Sequence, residues 1–127
     1  EPVNLSYEYL NKLYKEALTN YPVSNKMLEK FEKLDTFVIA NFKLAFGNRI
    51  MKQLKLFVPC YVACGGTEMD GFDYIFTTKI LKKFESLNIG FLKDELRNLL
   101  TELDKLFGKG TFPDARKYIE GLIKMSA

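Results

Sequence analysis

Histidine and tryptophan are absent from this chain of 127 residues, and cysteine occurs only twice. The absence of histidine removes the side chain that most often serves as a general base or as a metal ligand. Cys60 and Cys64 stand four residues apart without a further cysteine, whereas a zinc site needs about four ligands. A disulfide at this spacing within one helix would be strained. We therefore expect two reduced cysteines that pack as small apolar side chains.

Long apolar runs are also missing, because no stretch reaches the roughly 18 residues that a transmembrane helix needs. No signal peptide is visible at the start of the chain. The sequence opens with Glu1 rather than methionine, so we expect a fragment cut from a longer protein, although processing would leave the same start. Together with reduced cysteines, these features predict a cytoplasmic location without membrane contact.

The composition is that of a packed globular domain. Apolar residues make up 47% of the chain, with 11 phenylalanines and 7 tyrosines, and the length suits one domain. The net charge is +3, and the first 60 residues carry nine basic against six acidic side chains. This basic excess is too small to indicate a nucleic-acid-binding protein by itself.

Apolar residues recur at spacings of three and four along almost the whole chain, and no stretch alternates with period two. The pattern predicts an all-α fold, a single compact domain of about six helices. Ser6 is a predicted N-cap, Thr67 followed by Asp70 resembles a capping box, the second helix is predicted to start at Ser24, and Gly65-Gly66 is a predicted helix stop. The predicted apolar stripes include Leu10 and Leu13 in the first helix, Met125 in the last, and Phe72, Ile75, Phe76, Ile80, Leu81 and Phe84 in the fourth.

Charged residues cluster at both ends of the fourth predicted helix. Asp70 and Asp73 near its start suit the positive end of the helix dipole, and we expect them to cap the helix or form ion pairs. Paired carboxylates could also perform acid–base chemistry. Lys79, Lys82 and Lys83 near its end suit a solvated face, although they could also meet phosphate or an acidic partner.

Arg49 stands in a less ordinary position. It falls in the first turn of the third predicted helix, where the helix dipole disfavours a cation. An arginine there could be simple surface charge, or it could reach past the helix start toward an anion. Its planar guanidinium can bind phosphate through two parallel hydrogen bonds. Residue chemistry alone leaves both interpretations open.

No loop of the G-x-x-x-x-G-K-[ST] kind that cradles phosphates occurs in the chain. The order of "FGNRIMKQLKLFV", "EMDGFDYIFTTKILKKF", a leucine-rich helix and "GTFPDARKYIEGLIKM" nevertheless resembles the C-terminal helical lid of McrB-like AAA+ ATPases. The resemblance covers about residues 45–125, so residues 1–44 would be additional N-terminal helices and residues 45–127 an AAA+ lid-like core. Its elements are Gly47-Asn48-Arg49, Asp73, Lys79-Ile80-Leu81, Phe112-Pro113 and Arg116-Lys117.

The resemblance implies a specific role for Arg49. In AAA+ lids an arginine at the start of such a helix is the sensor-two residue, which contacts the γ-phosphate of a nucleotide held by the preceding α/β subdomain. The Walker motifs would lie upstream, so this chain would bind no cofactor by itself and the parent protein would use ATP or GTP with Mg²⁺. The resemblance also implies a hexameric parent, a nuclease or other effector partner, DNA contact through the parent, and a setting in DNA restriction or phage defence.

A second hypothesis is a free-standing helical module without catalysis. Such a module would bind a protein or a nucleic acid through the basic first half of the chain. A Walker A motif upstream in the full gene would favour the AAA+ lid, whereas salt-sensitive DNA binding by the isolated domain would favour the module.

Overall fold

Every regular element in the described part of the chain is helical. A computed structural model describes residues 7–125, and no strand occurs within that range. The predicted all-α fold, a single compact domain of six helices, is confirmed. None of the helices in this range combines the length and the apolar character that a membrane crossing requires. The α-helices are α1 (Tyr7–Asn20), α2 (Asn25–Phe42), α3 (Gly47–Ala63), α4 (Glu68–Ile75), α5 (Lys93–Phe107) and α6 (Pro113–Met125).

Side-chain caps set the starts of α2 and α4, and the cap at α4 was predicted. The Oγ atom of Ser24 accepts the backbone N–H of Met27 at 3.2 Å. The Oγ1 atom of Thr67 accepts the N–H of Asp70 at 3.1 Å in the same way. Each cap satisfies a donor that the first helical turn leaves unpaired. The predicted cap of the first helix, Ser6, lies outside the described residues.

The fourth predicted helix is one helical run that changes its winding. α4 is followed by a π-helical turn, Phe76–Ile80, and then by a 3₁₀ segment, Leu81–Ser86. The prediction of its buried face is confirmed, because all six apolar residues of the stripe are buried. Spacings of three and four residues identify a helical face but do not distinguish α, π and 3₁₀ windings. The change of winding was therefore not predictable from that pattern. A further short 3₁₀ turn, Ile89–Phe91, precedes α5.

The core contains a cluster of phenylalanines centred on Phe31 of α2. Its fully buried ring lies 4.9 Å from the ring of Phe46 and 5.1 Å from that of Phe72, measured between centroids. The ring of Phe76 lies 6.2 Å from Phe31 and, on its other side, 6.2 Å from Phe112. These contacts connect α2, the start of α3, the run that begins with α4, and the start of α6. The candidate residues below are positioned on this core.

Three members of the predicted apolar stripes are exposed, so their predicted burial was wrong. Leu10 and Leu13 lie in the first half of α1, and Met125 lies in the last turn of α6. α1 packs against α3, and the one fully covered residue of its described part is Ala17 in its second half. Helical spacing shows which residues share a face, but not how far the neighbouring helix extends along it.

Candidate functional site

Arg49 lies in the first turn of α3, and that turn is held by the core. Gly47 opens the helix at φ +77°, a left-handed conformation that glycine adopts without strain. The preceding residue, Phe46, buries its ring and donates its backbone N–H to Oδ1 of Asp35 in α2 at 2.9 Å. The backbone that carries Arg49 is therefore fixed against α2.

The guanidinium of Arg49 is open to solvent. The residue is exposed, and no hydrogen bond or ion pair within residues 7–125 involves its side chain. Lys52 and Lys55 are exposed on the same helix, and α3 contains no acidic residue. A cation in the first helical turn is disfavoured by about 0.3–1 kcal/mol because it faces the positive end of the dipole. This guanidinium is thus available to an anion that approaches the start of α3.

Asp73 is buried and caps a different helix from the one that carries it. The residue is only 2% exposed. Its Oδ2 atom accepts the N–H of Asp114 at 3.0 Å, and its Oδ1 atom accepts the N–H of Ala115 at 2.9 Å. The hydroxyl of Thr77 donates to Oδ1 at 3.3 Å. The expectation that Asp73 serves the start of α4 was therefore wrong, because its carboxylate caps α6.

The residue at the start of α6 explains why this helix takes its cap from α4. Phe112 accepts the N–H of Arg116 on its carbonyl at 3.0 Å, so it occupies the N-cap position. Its ring is fully buried and stacks on Phe107 with centroids 4.4 Å apart, and it offers no acceptor for a backbone N–H. The backbone of Phe112 is held at φ +56°, a left-handed conformation that costs roughly 1–2 kcal/mol outside glycine. Asp73 supplies the acceptor that the side chain at position 112 lacks.

Burial raises the pKa of the Asp73 carboxyl above its ordinary value, and the nearby carboxylate of Asp114 raises it further. The hydrogen bonds from the N–H groups of Asp114 and Ala115 and from Thr77 oppose this rise without cancelling it. The folded protein therefore holds a proton on Asp73 at a higher pH than the unfolded chain does.

This raised pKa predicts a pH-dependent contribution of Asp73 to stability. Between the unfolded value, about 3.9, and the higher folded value, the folded state binds more protons, so the free energy of unfolding rises as the pH falls. The contribution is fully present below about pH 3.9 and is lost as the pH rises through the folded pKa. Urea unfolding of the wild type and of Asp73→Ala at several pH values should show a difference in stability that grows toward acid. A difference that stays constant or shrinks toward acid would contradict the raised pKa.

Arg116 fastens the start of α6 to the end of α5. Its guanidinium donates hydrogen bonds to the carboxylate of Asp104 and to the carbonyl oxygen of Thr111. Three elements of the sequence resemblance, Asp73, Phe112-Pro113 and Arg116, thus meet at the start of α6. Arg49 is not among them, since no hydrogen bond or ion pair within the described residues joins its side chain to these groups.

Sequence reasoning missed the reach of Asp73 from α4 to α6. One signal could have indicated it, because the segment Thr111-Phe112-Pro113 places phenylalanine where a helix normally has Ser, Thr, Asp or Asn. A helix start without its own acceptor requires one from elsewhere in the fold. The sequence does not show which of its carboxylates provides that acceptor.

The two cysteines differ in their surroundings. Cys60 is partly buried and Cys64 is exposed, and both are free thiols, so the expected burial was wrong for Cys64. Burial raises the pKa of the Cys60 thiol, with a smaller contribution from Cys64, and this favours the neutral form. Within residues 7–125 no three His, Cys, Asp or Glu side chains are grouped so that they could hold a metal ion.

Comparison of the chain with protein-family models, with curated proteins and with solved structures finds no match. The resemblance to McrB-like lids therefore depends on the order of motifs in the sequence. In the fold, those motifs lie at the start of α3, along the run from α4, and at the start of α6.

Proposed function

We propose that this chain is the helical lid subdomain of a McrB-like AAA+ NTPase, in which Arg49 contacts the γ-phosphate of a bound nucleotide. The observation that carries the proposal is the state of Arg49. Its guanidinium is exposed and has no hydrogen-bonding or ion-pair partner within residues 7–125. It stands at the helix end where a cation is disfavoured and where the sequence resemblance has the sensor-two arginine. The α-helical fold is compatible with this role.

Arg49 would act as a charge sensor on a body that moves as a unit. A guanidinium can form two parallel hydrogen bonds to a phosphate, and loss of the γ-phosphate would remove its partner. The neighbouring Phe46 is packed against Phe31 and, at 5.9 Å between ring centroids, against Phe76. A displacement of the first turn of α3 would therefore move the α2 and α4 segments with it rather than bend the helix alone.

In this proposal the nucleotide-binding site and the partner subunits belong to the rest of the parent protein. An upstream α/β subdomain carries the Walker motifs and holds ATP or GTP with Mg²⁺. Neighbouring protomers of a hexamer, a nuclease or other effector subunit and DNA are the partners. The setting is cytoplasmic, in DNA restriction or phage defence. The lid closes over the nucleotide and transmits its hydrolysis to subunit motion.

The test uses the full-length parent protein, whose upstream sequence must contain a Walker A motif. Arg49→Ala should lower steady-state nucleotide turnover by roughly tenfold to a hundredfold, because one charged hydrogen-bonding partner of the phosphate is lost. The thermal unfolding of the domain should be unchanged, since no described residue depends on the side chain. Lys52→Ala, one turn further along α3, is the matched control and should retain turnover.

Either of two results would contradict the assignment of this chain as an AAA+ lid with Arg49 as its sensor residue. One is the absence of a Walker A motif upstream of residue 1. The other is a parent protein that hydrolyses nucleotide normally with Arg49→Ala.

The exposed basic residues of α3 favour a second candidate, a nucleic-acid-binding module. Arg49, Lys52 and Lys55 are all exposed, and the helix has no acid to balance them. Binding of a DNA oligonucleotide to the isolated domain that weakens steeply with salt, and that each Lys→Ala change weakens, would support this candidate. Binding that ignores salt would exclude it.

A further inference from the structure

An open groove runs between α1, α3 and the run that begins with α4. Its volume is about 490 Å³. α3 forms the floor, α1 one wall, and the segment around the end of α4 the other wall. The lining residues are Tyr14 from α1, Gln53, Leu56, Phe57 and Cys60 from α3, and Tyr74, Ile75 and Lys79 from the opposite wall.

Large apolar side chains are exposed along this groove. Leu56 is 44% exposed and Tyr74 is 47% exposed. The ring of Tyr74 stacks on Phe57 with centroids 5.2 Å apart and an angle of 21° between the ring planes. The wall that Tyr74 contributes is therefore held in place without an occupant. Leu10, one turn before Tyr14 on α1, is exposed as well and extends the apolar surface. Exposed apolar side chains grouped in this way mark an interaction surface more often than scattered ones do.

The charge on the groove lining has one sign. Among the described residues that line it, Lys79 is the only charged one. Arg49 lies one turn before Gln53 on α3, and Lys52 lies one turn before Leu56, so each is within one turn of a lining residue on the same helix. Neither the lining nor α3 contains an acidic residue. A complementary partner is therefore apolar along its centre and acidic along its flanks.

The groove also contains an acceptor without a partner. The Oε1 atom of Gln53 is buried and makes no hydrogen bond within the described residues. A buried acceptor of this kind is destabilising until it receives a donor. Because the Oε1 atom is not exposed in the groove, an occupant with an O–H or N–H group would satisfy it after the Gln53 side chain turns toward the groove.

We propose that this groove binds a short acidic amphipathic helix of a partner protein. Extension of a sheet edge is not available as a mode of peptide binding, because residues 7–125 contain no strand, and a helix seated between helices is the alternative. The floor from Gln53 to Cys60 spans about 10 Å, or about two helical turns, and Arg49 lies one turn before it. A nucleic acid fits less well, because its phosphates would meet the apolar floor rather than the basic rim. The proposal does not depend on a nucleotide-sensing role for Arg49.

The experiment uses the whole 127-residue chain and a defined probe. The probe is a fluorescein-labelled peptide of about 14 residues, or about four helical turns, with leucines and one serine on one face and glutamates on both flanks. Two control peptides accompany it, one with every glutamate replaced by lysine and one with a central proline that breaks the helix. Fluorescence anisotropy should show the acidic peptide binding at least about tenfold more tightly than either control, with an affinity that falls as salt is added.

Matched variants locate the binding on the groove. Leu56→Ser should weaken binding of the acidic peptide by about tenfold or more, because an anchor of the floor is lost. Leu13→Ser is the control, since Leu13 is 45% exposed on α1 but does not line this groove. Lys79→Glu should also weaken binding, whereas Lys105→Glu on the exposed side of α5 should not. Circular dichroism establishes that each variant is folded.

Several outcomes overturn the proposal. If the glutamate and lysine peptides bound equally, the groove would not select an acidic partner. If the proline peptide bound as tightly as the acidic peptide, the partner would not need to be helical. If no peptide bound at concentrations up to about 1 mM, the groove would not be a peptide-binding site. If Leu13→Ser weakened binding as much as Leu56→Ser does, the peptide would not bind in this groove. Self-association in analytical ultracentrifugation that Leu56→Ser abolishes would assign the groove to a second copy of the chain. None of these measurements involves nucleotide, so their failure leaves the lid assignment standing.

Discussion

Replacing Asp73 with alanine is expected to lower the free energy of unfolding by about 2–4 kcal/mol. The change removes both acceptors for the backbone N–H groups of Asp114 and Ala115, and the second of these hydrogen bonds is buried. No water can readily replace a buried acceptor, so the first turn of α6 loses its cap without compensation. Urea unfolding followed by circular dichroism measures the loss. The free energy of unfolding of Asp73→Asn should lie between those of the wild type and Asp73→Ala. The asparagine oxygen can accept one of the two backbone N–H groups, but its NH₂ group faces the second.

The control for this change lies three residues earlier on the same helix. Asp70→Ala removes an exposed carboxylate from the first turn of α4, where the favourable interaction with the helix dipole is worth about 0.3–1 kcal/mol. If the two alanine variants lost similar stability, the cap across the fold would contribute nothing beyond ordinary helix electrostatics.

Phe31→Ala is expected to lower the free energy of unfolding by about 3–5 kcal/mol. The ring lies at the centre of the phenylalanine cluster and is fully buried, so its removal loses apolar burial and opens a cavity between α2, α3 and α4. A small domain has only about 5–15 kcal/mol of stability in total, so the variant should unfold at a much lower urea concentration.

Phe91 provides a matched control for the same chemical change. Its side chain is 83% exposed in the short turn before α5, and Phe91→Ala should change the free energy of unfolding by less than about 0.5 kcal/mol. A small loss for Phe31→Ala would mean that the neighbouring rings collapse into the vacated space. Crystallography or side-chain nuclear magnetic resonance of the variant would show such a collapse directly.

Helical class and caps were predictable because they depend on residues close together in the sequence. The spacing of Phe72, Ile75 and Phe76 identified a buried face, and Ser24 and Thr67 carry the side chains that a first turn needs. The left-handed turn after α3 followed from Gly65, which has φ +100°. Each of these inferences draws on interactions across about four residues.

Features that depend on distant segments were not predictable in this way. Asp73 is separated in the sequence from Asp114 by 41 positions and from Ala115 by 42. No local pattern indicates a contact over that separation. Leu10 is exposed because of how far α3 extends along α1, which is a property of helix packing and not of local sequence. The position of Arg49 in a first turn was predictable, but the hydrogen bond from Phe46 to Asp35 that holds that turn was not.

The cap of α6 also has a consequence for the order in which the described helices are expected to assemble. A helix of 13 residues is marginal in water by itself, and α6 lacks an acceptor of its own at its first turn. Its first turn is completed only after α4 has docked and the intervening segment of about 40 residues has closed into a loop, at an entropic cost that must be met first. During synthesis α4 leaves the ribosome before α6, so the carboxylate of Asp73 is available as an acceptor when α6 emerges. We therefore expect the first turn of α6 to form late in the folding of this domain.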